Sequence, residues 1–203
     1  MVGRADIRGT TRATFLARAA VATGALYGTG AVAPLVERAL AAAGGGDEAV
    51  LAFALTLERI EAAVYAKAVT VRGLSPRVKK ALQEISGHEA EHVKQLTQTL
   101  QQIGASAPPA PKTSFPAPAG EAALLGLAIT LEETGVGAYN GAAPRLQSPD
   151  YLDAFGSIVQ VEARHAGALR ELAGRNPAPA AFDRALTGAQ VLRAVRPYVR
   201  GGP

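Results

Sequence analysis

Four stretches of this chain place apolar residues at a helical period, and they predict helices over 47–71, 75–103, 120–143 and 149–173. In the second stretch, Val78, Ile85, His92 and Thr99 form one row seven apart, beside a companion row of Leu82, Glu89, Leu96 and Ile103. The fourth repeats the arrangement with Tyr151, Ile158, His165 and Leu172 beside Phe155, Glu162 and Leu169. The first gives Leu51, Glu58 and Tyr65 beside Leu55, Ala62 and Val69; the third gives Leu125, Glu132 and Tyr139 beside Ile129, Val136 and Ala143. Each predicted helix therefore turns a glutamate towards the apolar seam near its middle. The second and fourth add a histidine one turn later.

The breaks set the architecture. Arg72-Gly73-Leu74 and Pro144 to Gln147 are short turns, which imply antiparallel neighbours. Ala105 to Ala119 carries five prolines and reads as an extended crossover. The expected fold is all-α: a four-helix bundle with a long proline-rich crossover between helices two and three.

The two halves are also copies of one hairpin. Ala54-Leu55-Thr56-Leu57-Glu58 matches Ala128-Ile129-Thr130-Leu131-Glu132 at an offset of 74, and Tyr65 matches Tyr139 at the same offset. Ser75-Pro76 and Ser148-Pro149 open the second and fourth helices, with serine suited to the N-cap and proline to the first helical position. Fourteen residues after each serine stands Glu-x-x-His: Glu89 with His92, and Glu162 with His165.

Composition changes the picture at the amino terminus. The net charge of +4 over 203 residues is concentrated there: Arg4, Arg8, Arg12, Arg18 and Arg38 face only Asp6 and Glu37 before Gly44. The remainder is nearly neutral and offers no basic face for nucleic acid. A basic start, the uncharged run Ala19 to Pro34 and small residues at Ala39 to Ala43 read as an export signal. Thr11-Arg12-Ala13-Thr14-Phe15-Leu16 resembles a twin-arginine motif with Ala13 in place of the second arginine. The expected division is an export segment and linker over 1–46, the bundle over 47–176, and a carboxyl-terminal extension over 177–203. No stable membrane span is expected once the signal is removed. An exported, extracytoplasmic or envelope location follows from the same segment. Cysteine is absent, which excludes disulfides and thiolate metal sites.

Four carboxylates converging on an apolar core cannot all stay ionised unaided, because burial and mutual repulsion both favour protonation. Two divalent cations remove the problem: four glutamates balance their charge, and each imidazole adds one nitrogen ligand. Glu58, Glu89, His92, Glu132, Glu162 and His165 are therefore the expected ligands of a dinuclear carboxylate site. Tyr65 and Tyr139 stand near enough to hydrogen-bond site carboxylates, or simply to pack beside them. Glu61 and Glu133 break the repeat, opposite Gly135 and Arg59, and are read as peripheral, with Glu61 in reach of the ligands. Glu91 is read as a solvated charge, and His88 as a flank or surface residue outside the ligand set.

The runs ALTLERIEAAVY (54–65) and AITLEETGVGAY (128–139), with Glu89/His92 and Glu162/His165, resemble the bacterial ferritin-like domain proteins. These are often exported and are related to desiccation- or stress-associated members. The tail FDRALTGAQVLRAVRPY (182–198) is similar to that group's closing segment, with a short helix packed on the bundle. The resemblance implies a di-iron carboxylate protein of stress protection, with manganese as the alternative metal. Oxidation of Fe(II) by oxygen or peroxide is the implied chemistry, with a manganese catalase as a variant. Glu89 and Glu162 would bridge, and Glu58 and Glu132 would be terminal. The competing reading is a non-enzymatic stress protein that sequesters metal or binds a partner. A rubrerythrin-like peroxidase is disfavoured, since its electron-donating iron needs cysteine. Homo-oligomerisation is left open.

Overall fold

A computed structural model describes residues 46–200. Residues 1–45, on which the export-signal expectation falls, lie outside the described residues. The described chain forms α1 (Asp47–Ala68), α2 (Pro76–Gln102), α3 (Glu121–Ala142), α4 (Pro149–Leu172) and α5 (Gly188–Val195). Turns of 3-10 helix follow α3 (Ala143–Arg145) and α5 (Arg196–Tyr198). Among the described residues the only extended pairing is an isolated bridge between Thr113 and Val199. The all-α bundle expected from the seams is the fold observed.

The long helices stop slightly inside their expected limits. The largest difference is at α1, which ends at Ala68 rather than residue 71. There Thr70 and Val71 donate to the carbonyls of Lys67 and Ala68, three residues back, so the last turn tightens and the helix closes.

Acidic residues at helix starts fix the directions of the bundle. Ser75 caps α2 through a 3.4 Å bond from the Val78 amide, with Pro76 in the first turn. Ser148 has the same sequence setting but makes no side-chain cap. Instead Asp47, the first residue of α1, accepts from the Gln147 and Ser148 amides at 2.6 and 3.0 Å. Glu121, the first residue of α3, does the equivalent for α2, accepting from the Ser75 amide at 2.5 Å. Thus α1 and α4 start at one end, and α2 and α3 start at the other. The chain leaving α2 must return along the full bundle to begin α3, and residues 103–120 make that crossover. Arg59 on α1 holds it by donating to the Pro108 carbonyl.

Leu51, Leu55, Val78, Leu82, Leu96, Leu125, Ile129, Phe155 and Leu169 are buried along the seams and form the core. The carboxyl-terminal segment is bonded to both the crossover and α3. Ser114 donates to the Tyr198 carbonyl at 2.7 Å and Arg200 to that of Lys112 at 2.9 Å. The Leu186 amide donates to the Gly137 carbonyl at 2.8 Å. The short closing helix expected within 182–198 begins only at Gly188, after a non-helical stretch in which Arg184 and Leu186 approach α3. A capping box of Thr187 and Gln190 then starts α5, whose Val191, Leu192 and Val195 are buried. No helix among the described residues is long and apolar enough to cross a membrane.

Candidate metal centre

The crossed hairpins bring one glutamate from each long helix to the middle of the bundle. Glu58 (α1), Glu89 (α2), Glu132 (α3) and Glu162 (α4) have no exposed surface, and His165 is 5% exposed. The His92 side chain retains 12% exposure. Nδ1 of His92 lies 3.1 Å from Glu58 Oε2, 3.2 Å from Glu162 Oε1 and 3.5 Å from Glu89 Oε2. Nδ1 of His165 lies 3.2 Å from Glu132 Oε2 and 3.3 Å from Glu89 Oε1.

Two sets result, each with its ligand atoms within 4.8 Å of one another. One is Glu58, Glu89, His92 and Glu162; the other is Glu89, Glu132, Glu162 and His165. Glu89 and Glu162 belong to both. The remaining members, Glu58 with His92 and Glu132 with His165, are hydrogen-bonded pairs at opposite sides. All six residues expected at the centre from the sequence are thus brought together.

The shared carboxylates carry the strongest physical signal. Both oxygens of Glu89 and both of Glu162 are buried and form no well-aligned hydrogen bond, although an imidazole Nδ1 lies 3.2 to 3.5 Å from three of the four. A buried carboxylate oxygen without a well-aligned hydrogen bond is costly, and four at one point call for a cation. Carboxylate oxygens with one imidazole nitrogen per position suit iron or manganese. The residues present therefore fit a pair of such ions.

The tyrosines hold the outer carboxylates in place. Tyr65 on α1 donates to Glu132 Oε1 on α3, and Tyr139 on α3 donates to Glu58 Oε1 on α1. Each hydroxyl crosses to the other half of the repeat. This leaves the second oxygen of each glutamate directed at the histidine.

Without metal the cluster retains protons. Burial raises Glu58 to about 7, against the lowering influence of His92. Burial and neighbouring carboxylates push Glu61 and Glu162 well up, and burial raises Glu132. Glu89 is the exception: burial alone would raise it, but His165 and His92 outweigh that and bring it to about 2. Burial opposes charging of the histidines, yet the carboxylates more than offset it. His92 rises to about 12 and His165 to about 9. The metal-free centre is a shared set of protons among carboxylates and imidazoles, which incoming cations must displace.

Two residues outside the ligand sets lie against them. Glu61, expected in reach of the ligands though outside the repeat, is 2% exposed with Oε2 lacking a partner. The inner face of α1 runs through Glu58, Glu61, Tyr65 and Ala68, while Ala62 and Val69 of the expected companion row are only partly buried. The three-residue step from Glu58 carries that placement, although the repeat offers no counterpart for it. His88, read as a flank residue, is itself exposed, but its Nδ1 lies 2.9 Å from Nε2 of His165. His88 is in neither ligand set, but it contacts a histidine of one of them. Glu133 and Glu91 are outside the centre as expected, paired with Arg170 and Lys94 at the surface.

A sequence model described as the ferritin-like domain matches residues 46–175. No curated protein matches the chain.

Proposed function

Given that the chain belongs to the ferritin-like domain family, we propose that it is a dinuclear metal carboxylate protein with iron as its working metal. One observation carries this reading: Glu89 and Glu162 are common to both ligand sets, and all four of their oxygens are buried with no well-aligned hydrogen bond. Bound iron would supply the redox chemistry, oxidation of Fe(II) at the expense of oxygen or peroxide, in a protective role under stress. Manganese is the alternative metal that the same donors favour.

The chain's own residues divide the work. Glu58 with His92, and Glu132 with His165, would each hold one ion at its outer side, while Glu89 and Glu162 would span the two. Tyr65 and Tyr139 orient the outer carboxylates through their hydroxyls. Leu55, Ile85, Leu96, Ile129, Phe155 and Leu169 make an apolar surround that excludes water. Ionised, Glu61 would add one negative charge beyond what two divalent ions cancel, and burial together with the neighbouring carboxylates opposes that ionisation. The basic, signal-like amino-terminal segment supports an extracytoplasmic setting for this chemistry.

The test is metal content after anaerobic reconstitution of the purified chain with Fe(II) or Mn(II), followed by oxygen and peroxide assays. Uptake of an ion at each of the two ligand sets is expected, with loss of both in Glu89→Gln because that residue serves both. Iron-dependent consumption of oxygen or peroxide that disappears in the same variant would establish turnover. Tight binding without turnover would replace the enzyme by a metal-sequestering protein. A well-folded chain that takes up neither ion would end the metal reading.

A further inference from the structure

The repeat makes the two ligand sets near copies, so any difference between them must come from residues that break it. The outer nitrogen of each histidine is the place where they differ. Nε2 of His165 is 2.9 Å from Nδ1 of His88, and the two rings lie within 7° of parallel with centroids 5.2 Å apart. His92 faces its carboxylates through Nδ1 in the same way, yet no hydrogen bond to its Nε2 is formed among the described residues. The sequence explains the difference. His88 immediately precedes Glu89, and the residue immediately preceding Glu162 is Val161, which has no polar atom in its side chain.

We propose that the two metal positions are unequal, and that His88 makes the position at Glu89, Glu132, Glu162 and His165 the tighter one. The inference rests on the metal reading above. An ion held on Nδ1 of His165 leaves that ring's proton on Nε2. Nδ1 of His88 is placed to accept it, which fixes the tautomer, restrains the ring and increases the basicity of the ligating nitrogen. Loss of such an outer partner weakens metal binding by roughly 10- to 100-fold in proteins generally. His92 must select the same tautomer and orientation with its outer nitrogen unheld, so its position fills second. His88 is a positioning residue: it acts through His165 and touches no metal itself. Its exposure means that it can be changed with little disturbance of the core.

Mn(II) alone is the probe, titrated anaerobically into the metal-free full chain while free ion is followed by electron paramagnetic resonance. The wild-type chain is expected to fill in two resolved steps. His88→Val copies the residue of the other half, and it should weaken the first step by roughly 10- to 100-fold and merge the two. His88→Asn keeps an acceptor, its Oδ1, close to where Nδ1 stood, and it should restore the separation. Glu61 and Glu133, further breaks in the symmetry, are unchanged in all three proteins and so cannot account for a difference among them. A single class of sites in the wild type, or an unaltered first step in His88→Val, would overturn this inference and leave the metal reading intact. An asparagine variant that behaves like the valine variant would also overturn it, since it would show that bulk rather than the hydrogen bond matters. Absence of Mn(II) and Fe(II) uptake by the folded wild-type chain would overturn both.

Discussion

The carboxylate of Glu61 lies against the bare backbone of Gly135, its own counterpart in the repeat. A Cβ on Gly135 would stand 2.9 Å from Glu61 Oε1 and 2.9 Å from Glu162 Oε2. The glycine leaves the room that both carboxylates use. Gly135→Ala sets two effects against each other. Alanine in a helix interior is favoured over glycine by about 1 kcal/mol, and the atoms it meets are the free ends of side chains. Thermal stability of the metal-free protein is therefore expected to change little. Glu162, however, is pushed from its place between the two ligand sets, so Mn(II) affinity should fall by roughly tenfold or more. Adding Glu61→Ala frees the space and should recover part of that loss. Equal affinity in wild type and Gly135→Ala, measured by the same titration, would show that the close approach does not constrain the ligands.

Tyr65 and Tyr139 allow a cleaner test of what holds the outer carboxylates. Phenylalanine retains the ring, including the edge-on contact of Tyr139 with Phe155 at 4.7 Å, and removes only the hydroxyl. Each substitution leaves a buried carboxylate oxygen without its donor, at a cost of about 1–3 kcal/mol. Because the two bonds are related by the repeat, Tyr65→Phe and Tyr139→Phe should cost similar amounts in denaturant melts of the metal-free protein. Tyr65 also holds the Glu132 pKa down, so Tyr65→Phe should move metal uptake to higher pH. A pair of variants as stable as wild type would mean that the hydroxyls contribute nothing net.

Much of this arrangement is legible in the sequence because helix periodicity and internal repetition are both local signals. Seven-residue rows place Glu58, Glu89, His92, Glu132, Glu162 and His165 on inner faces without any tertiary information, and the observed burial agrees. Proline spacing gives the crossover in the same way. What the pattern does not contain is the effect of one helix on another. Glu61 breaks the repeat opposite Gly135, and the repeat does not show that this glycine is what leaves it room. His88 stands on the outer side of α2 and reaches His165 only because α4 packs against that side. The cross-cap from Asp47 to the start of α4 spans about a hundred residues of sequence and leaves no local trace. The close approach of Arg184 and Leu186 to α3 depends likewise on Gly137 and Gly141, far away in the chain.

Stability of the metal-free protein should fall as pH rises, which is opposite to the usual acid sensitivity of a paired carboxylate. Glu58 is raised from 4.5 to about 7 in the fold. The folded state therefore binds its proton more tightly than the unfolded chain does. That contribution is complete below pH 4.5 and is lost as pH rises through about 7. Glu61, Glu132 and Glu162 shift in the same direction. His92 and His165 contribute fully below pH 6.5 and lose their share as pH passes about 9 for His165 and about 12 for His92. Glu89, lowered to about 2, works the other way, and its contribution disappears only as pH falls below 4.5 towards about 2. Melting temperatures of the metal-free chain should decline between pH 5 and 9, whereas Mn(II), which needs deprotonated ligands, should stabilise more strongly as pH rises. A metal-free melting temperature that climbs across this range would show that the carboxylates are already ionised without metal.

The carboxyl-terminal strap should be separable from the metal centre. A Cβ on Gly141 would stand 2.0 Å from the Leu186 carbonyl oxygen and 3.0 Å from its carbon. These are backbone atoms, which cannot swing aside as a side-chain end can. Gly141→Ala therefore forces the Leu186 backbone away from α3 and strains the Leu186–Gly137 hydrogen bond. The gain in helix propensity, about 1 kcal/mol, does not offset an overlap of that depth, and a net loss of about 1–3 kcal/mol is expected. Gly141 lies outside both ligand sets, so Mn(II) binding by the folded protein should be unchanged. Limited proteolysis resolves the two consequences: faster cleavage near residues 177–187 with the four-helix core intact is the expected pattern. Cleavage at the wild-type rate would show that the strap does not depend on this contact. Weakened metal binding at full helicity would show that the strap and the centre are mechanically coupled through α3.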